Sequence, residues 1–203
     1  FVIVLLSSFV LQGSAQKLGD LSFGEEQSLE IITWNIRDFP LNGMATVDSL
    51  KKVLTELDAD VYALQEMYDT LALRNMVDET EAYETFYQDP EFGGLALVYN
   101  SSVVQYLDVY EIFYAPQYWN YFTRAPLVFE FNYQGEFYVL INNHFKCCGD
   151  GELEEGNEDD EEFRRQQASL LLEQFVEDVF PVENVFLVGD LNDVLTDPAQ
   201  DNV

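Results

Sequence analysis

Three short stretches carry side chains suited to holding a hard metal ion against a phosphoryl group. They are TWNIRDFP at 33–40, LQE at 64–66 and VGDLND at 188–193. Each follows a β-type apolar run, at 29–32 before Asn35, at 61–64 before Gln65 and Glu66, and at 185–188 before Asp190 and Asn192. In open α/β sheets, residues just past the C-terminal ends of strands face the crevice where ligands bind. Carboxylates and carboxamides delivered to one such edge supply oxygen ligands. Those suit Mg²⁺ or Mn²⁺, bound through one or two carboxylates together with substrate phosphate.

His144, the only histidine, extends this set. It closes a predicted strand in the stretch NNHFK, and histidine is the side chain best matched to proton transfer near neutral pH. A lone histidine is usually structural, but placement at a strand end beside the other motif residues favours a functional role. Glu66 reads as a metal ligand or as a solvated strand-end acid. Asp190 and Asn192 could orient a water and a phosphoryl oxygen, or simply form a turn. Of the nine basic residues, Arg37 follows Asn35 by two positions, Arg124 sits ahead of a strand, and Lys146 follows His144 by two. Cations beside a metal site can clamp phosphate; ordinary surface charge is the plain alternative.

The elements that must position these groups alternate along the chain. Strands are predicted at 29–34, 61–64 and 95–99, a β-rich stretch at 103–113, a hairpin from 127–133 and 136–141, and a last strand at 185–188. Apolar residues at 47, 50, 53, 54 and 57 predict a helix over 46–57, and those at 168, 171, 172, 175, 176 and 179 predict one over 164–179. A further helix is predicted over 71–80. Strands followed by helices, with hairpins mixed in, predict two packed sheets covered by helices.

Composition sets the limits. The chain has 203 residues, 48% of them hydrophobic, with 16 Phe and 12 Tyr, enough for one aromatic-rich core. A net charge of −29 argues against a binder that gains nucleic-acid affinity by releasing counterions with Lys and Arg. It leaves room for an enzyme that meets phosphate through metal. The run GDGELEEGNEDDEE at 149–162 holds nine acids. It reads as a solvated lead-in to a helix, with a Ca²⁺ site from Asp150, Glu152 and neighbours as the sharper reading; its spacing does not match an EF-hand. Residues 1–15 read as an incomplete signal peptide, with an apolar run at 1–11 and the small residues Gly13, Ser14 and Ala15 before Gln16. Residues 16–28 then form a short linker, and a secreted or periplasmic location is expected. Cys147 and Cys148 are adjacent, so a strained vicinal disulfide, a metal contact and two free thiols all stay open.

The order WNIR, QE, TRAP, NH and GDLND resembles the endonuclease/exonuclease/phosphatase superfamily, and WNIRDFP looks like its deoxyribonuclease I-like branch, in a secreted member of bacterial type. The resemblance covers residues 29–203. It implies a four-layer α/β sandwich with two central mixed β-sheets and Mg²⁺-assisted hydrolysis of a phosphoester. Carried over, Glu66 binds the metal with support from Asn35. Asp190 and Asn192 orient water and substrate, His144 stabilises the phosphoryl oxygens, and Arg37 and Arg124 contact substrate phosphates. The family pattern continues to a further strand and an Asp-His pair. This chain ends at Val203, eleven residues after Asn192, so the expectation is a domain whose C-terminal part is missing, weakly active or inactive by itself. The expected function is a secreted, metal-dependent nuclease acting on nucleic acid, DNA first, with no stable protein partner. A phospholipid or sugar-phosphate phosphodiesterase and a non-catalytic binding module are the alternatives.

Overall fold

Apolar residues alternate in and out along most strands, and the computed structural model resolves that pattern into stacked layers. It describes residues 3–5, 24–25, 27–194, 196 and 198. The first sheet runs in the order β1 (Ile3–Leu5), β2 (Ile31–Phe39), β3 (Val61–Met67), β5 (Gly94–Asn100), β4 (Tyr83–Tyr87). Strands β1, β2 and β3 are parallel, and β5 runs against both β3 and β4. The second sheet has the order β6 (Val104–Glu111), β7 (Leu127–Tyr133), β8 (Glu136–His144), β9 (Asn184–Asp190). Here β6, β7 and β8 form an antiparallel meander, and β9 joins β8 in parallel.

Three apolar clusters hold four layers together. Helices α1 (Met44–Leu57) and α2 (Thr70–Asp78) place Leu50, Leu54, Leu73 and Met76 on Ile32, Tyr62, Leu64 and Val98, one face of the first sheet. The opposite face offers Val61, Ala63, Leu95 and Leu97 to Phe129, Phe131 and Leu140 of the second sheet. Helix α3 (Glu161–Val179) then covers the far side, with Ala168 and Leu172 on Val128, Val139 and Ile141. Period-two alternation explains why one strand serves two clusters: Val61 and Ala63 point one way, Tyr62 and Leu64 the other. This is the expected four-layer sandwich with two mixed sheets.

Helix starts follow side-chain chemistry. Asp69 accepts from the Ala72 N–H at 2.8 Å, and Asp160 from the Phe163 N–H at 2.7 Å, so each caps a helix whose first N–H groups lack partners. In α3, Glu161 and Glu162 add acidic charge to the first turn, where the helix dipole favours it.

Two sequence expectations need correction. The strands bearing the motifs run further than their apolar stretches: Asn35 lies within β2, Glu66 within β3, and His144 and Asp190 are the last residues of β8 and β9. Backbone pairing carries on where the side chains turn polar. Strand β4, with its sequence YETFY, was not expected; it is an edge strand, half exposed, and lacks a clean alternation. Of the expected signal peptide, Ile3–Leu5 forms β1 beside β2, and the rest lies outside the described residues.

Candidate active site

The parallel pairing of β2 with β3 and of β8 with β9 brings the motif residues to one end of the two sheets. Asn35 is in register with Gln65, and His144 with Asp190. The Asn35 amide spans the gap between sheets: its Nδ2 donates to Glu66 Oε1 and to Asp190 Oδ2, both at 2.8 Å. His144 Nε2 faces the same two carboxylates, 4.0 Å from Glu66 Oε1 and 3.8 Å from Asp190 Oδ2. Residues 35, 66, 144 and 190, far apart in sequence, thus meet within one polar cluster.

Local backbone irregularity aims these groups. The β2–β3 pairing shifts register between Asn35 and Phe39, and Arg37 and Asp38 there have positive φ of 40° and 53°. The bulge turns two backbone N–H groups inward: Arg37 N–H donates to Asn35 Oδ1 at 2.8 Å, and Asp38 N–H to Glu66 Oε2 at 2.9 Å. Glu66 itself has φ 63°, at a second register shift between β3 and β5. Bulges of this kind re-aim a side chain next to functional sites. Opposite, Gly189 is demanded by packing: with φ 141°, a Cβ there would stand 2.0 Å from the Asn143 carbonyl oxygen.

Behind the site lies a buried polar layer that the motifs do not announce. Gln65 Nε2 donates to Asn142 Oδ1 at 2.7 Å, and Asn142 Nδ2 donates to the carbonyls of Leu64 and Ala96. These side chains join the two sheets within the core. The available signal is Gln65 itself, a polar residue on the inward phase set by Val61 and Ala63. Arg165 is the second omission. Buried in α3, it donates to the carbonyls of Lys146 and Cys148 and pairs with Glu162 and Asp193, so it ties the loop after His144 to the loop after Asp190. Its spacing in α3 continues an apolar face, a position where a cation has to find partners.

The remaining expected residues fall as follows. Asn192 donates its backbone N–H to Asp190 Oδ1 and its Nδ2 to the Phe145 carbonyl, which holds the β9 loop against the loop after His144. Arg37 is exposed beside the bulge, and among the described residues no carboxylate pairs with it. Arg124 Nε donates to the carbonyls of Phe92 and Gly93, both at 2.7 Å. Its charge reaches His144: burial first, then Arg124, lowers the imidazole pKa, against the opposing pull of Asp190 and Glu66.

The donor set fits a divalent cation. Two carboxylates from different sheets converge, and what lies between them is the neutral amide of Asn35, so their charge has no full counterion there. Glu66 and Asp190 offer hard oxygens. Asn35 could add its carbonyl oxygen only by turning its amide, because Oδ1 now accepts from Arg37 N–H. A separate carboxylate group also exists in the acidic loop, where Asp150, Asp160 and Glu162 bring ligand atoms within 4.8 Å of one another; Glu152 is outside that group. Cys147 and Cys148 are free and exposed, with sulfurs 2.8 Å apart.

Comparison with known proteins places this arrangement. The family model described as "Endonuclease/Exonuclease/phosphatase family" matches residues 32–200. No curated protein matches the sequence. Among solved structures, TDP2 of D. rerio complexed with single strand DNA product has a TM-score of 0.65 at 20% identity, covering 85% of this chain and 64% of that one. The human Nocturnin catalytic domain with bound sulfate anion has a TM-score of 0.64 at 14% identity, covering 85% and 66%. An endonuclease/exonuclease/phosphatase family protein from Bacteroides thetaiotaomicron has a TM-score of 0.65 at 14% identity, again covering 85% and 66%. At these identities the likeness is one of fold, and the chain spans just under two thirds of each of the three. Because the family model takes in nearly all of β2 to β9 and every motif residue named above, the chain belongs to the endonuclease/exonuclease/phosphatase family.

Proposed function

We propose that the protein is a divalent-metal-dependent phosphodiester hydrolase, exported from the cell. The observation that carries this reading is the convergence of Glu66, Asp190, Asn35 and His144, described above, at one end of the two sheets. Glu66 would hold Mg²⁺ or Mn²⁺, with Asn35 beside it. When bound, the ion would neutralise phosphate charge and act as a Lewis acid. His144 can donate a hydrogen bond from its imidazole to a phosphoryl oxygen. Asp190 accepts a proton from, and orients, an attacking water. Asn192 keeps the Asp190 loop in place, while Arg37 and Arg124 would meet phosphate oxygens. Support for export is the apolar run at 1–11 followed by the small residues Gly13, Ser14 and Ala15; the pairing of Ile3–Leu5 with β2 is the observation against it.

Two substrate readings follow. Nucleic acid is supported by the single-stranded DNA in the D. rerio TDP2 complex. A small phosphodiester is supported by the net charge of −29, since a strand carrying many phosphates would be repelled by so acidic a surface.

The test is hydrolysis of bis(p-nitrophenyl) phosphate with Mg²⁺, with EDTA, and by Glu66→Gln. Activity should require the metal, and Glu66→Gln should need far more Mg²⁺ because a neutral amide holds a divalent ion poorly. EDTA-resistant turnover, or a Glu66→Gln variant with unchanged Mg²⁺ dependence, would overturn the assignment.

A further inference from the structure

The acidic loop between β8 and α3 gathers a second group of oxygens, apart from the edge where Glu66 and Asp190 meet. Asp150, Asp160 and Glu162 each bring a carboxylate oxygen within 4.8 Å of the other two. Oxygens bound to one Ca²⁺ stand roughly 2.4 Å from the ion, so opposite ligands lie up to about 4.8 Å apart. The three can therefore share an ion. Solvated acids need none, so the buried member of the group decides.

Glu162 exposes only 1% of its surface. One of its oxygens is satisfied: Oε1 accepts from the Gly151 N–H at 2.9 Å and from Arg165 Nη2 at 3.1 Å. The other, Oε2, is buried and has no hydrogen-bond partner among the described residues. An ionised carboxylate can only accept, so a buried oxygen without a donor calls for a cation. The chain passes this oxygen on bare backbone. Gly149 has φ 95°, and a Cβ there would stand 2.6 Å from the same Oε2.

Charge points the same way. Among the described residues Arg165 is the one cation paired with Glu162, and it is shared with Asp193 at 3.5 Å. No ion pair among them reaches Asp150 or Asp160. One guanidinium does not balance these carboxylates. Asp160 is fixed in place, because its Oδ2 accepts from the N–H groups of Phe163 and Glu154 at 2.7 and 3.2 Å. Asp150 is exposed and gives an ion a way in. Ca²⁺ suits such a loop. It takes about six to eight oxygens in flexible geometry, carbonyls and waters included, whereas Mg²⁺ demands a near-ideal octahedron and rarely uses an all-protein cage.

We propose that Asp150, Asp160 and Glu162 form a structural Ca²⁺ site that fixes the acidic loop to the start of α3. The site stands whether or not the phosphodiesterase reading does. Its influence runs through Arg165, which also donates to the carbonyls of Lys146 and Cys148 in the loop after His144. Asp150 and Glu162 line a cavity of about 750 Å³ together with Asp190 and Asn192. An ion there would stiffen one wall of the candidate active site without taking any ligand from it.

Calorimetric titration of the full chain with CaCl₂, in excess KCl, tests it. The background is Glu66→Gln, which weakens the proposed catalytic metal site and leaves the loop alone. One saturable Ca²⁺ equivalent is expected there. Adding the near-isosteric, exposed Asp150→Asn should weaken it by roughly tenfold or more, because affinity follows the charge of the ligands. Adding Glu152→Gln instead, an exposed acid of the same loop outside the group, should leave it unchanged. Ca²⁺ should also raise the melting temperature of the Glu66→Gln protein, and raise that of the Asp150→Asn double variant much less, since an ion that binds only the folded chain stabilises it by mass action. Absence of saturable binding in Glu66→Gln, or equal weakening by Glu152→Gln and Asp150→Asn, would overturn the site. Mg²⁺ binding there as tightly as Ca²⁺ would overturn the choice of ion.

Discussion

His144 and Asp190 are register partners on the parallel strands β8 and β9, and Nε2 of the histidine stands 3.8 Å from Oδ2 of the aspartate. That distance is too long for a direct hydrogen bond and right for two groups that share a third. Burial and then the Arg124 charge lower the imidazole pKa, while the Asp190 and Glu66 charges oppose that shift.

From this relationship, His144→Ala and Asp190→Asn should each lower turnover of bis(p-nitrophenyl) phosphate by about 10²-fold or more, the usual scale for a positioned proton-transfer or electrostatic group. Both should keep the native circular dichroism spectrum. Loss of activity that tracks loss of fold would make the residue structural.

The link between the sheets should be visible in stability. Gln65→Leu removes the donor to Asn142 Oδ1 and leaves that oxygen buried, at a cost of about 1–3 kcal/mol. The pair Gln65→Leu and Asn142→Leu should then cost less than the sum of the single changes, because the two residues share one bond. Additive values in urea denaturation would mean that the contact contributes nothing of its own.

Gly189→Ala is expected to be among the most damaging single-methyl changes in this chain. The new Cβ would meet the Asn143 carbonyl at 2.0 Å, in the pair of strands that sets His144 against Asp190. A loss of about 2–4 kcal/mol is expected from overpacking and backbone strain together, read as a lower melting temperature. A Gly189→Ala variant that folds with unchanged stability would show that β8 and β9 can separate freely.

Asp60 should impose a pH dependence far from the site. Burial raises its pKa from 3.8 to about 6, outweighing the Glu30 N–H that its Oδ2 accepts at 2.9 Å. A carboxyl whose pKa is raised on folding contributes stability that is full below the unfolded value, near 3.8, and is lost as pH rises through about 6. Asp60→Asn keeps an acceptor for Glu30 and removes the ionisation. Melting temperatures of the wild type relative to this variant should therefore fall between about pH 4 and pH 7. A flat difference across that range would show that Asp60 ionises in the fold as it does in water.

Much of this was legible in the amino-acid order. Period-two and helical spacings placed α1, α3 and most strands within a few residues, because those elements bury one face and their side chains must repeat accordingly. The same order offered Asn35, Glu66, His144, Asp190 and Asn192 as a set, since polar side chains directly after apolar strands have few structural uses. Strand β4 escaped because an edge strand is held by backbone hydrogen bonds, which leave little mark on side-chain pattern. What only the tertiary structure decided is who meets whom. The bulge at Arg37 and Asp38 that points N–H groups at Asn35 and Glu66, the Gln65–Asn142 link between sheets, and the Arg165 tie between two loops all depend on register and layer packing. These contacts join residues remote in sequence. Local spacing constrains which face a residue occupies, while its partner across the core is fixed by how the sheets stack.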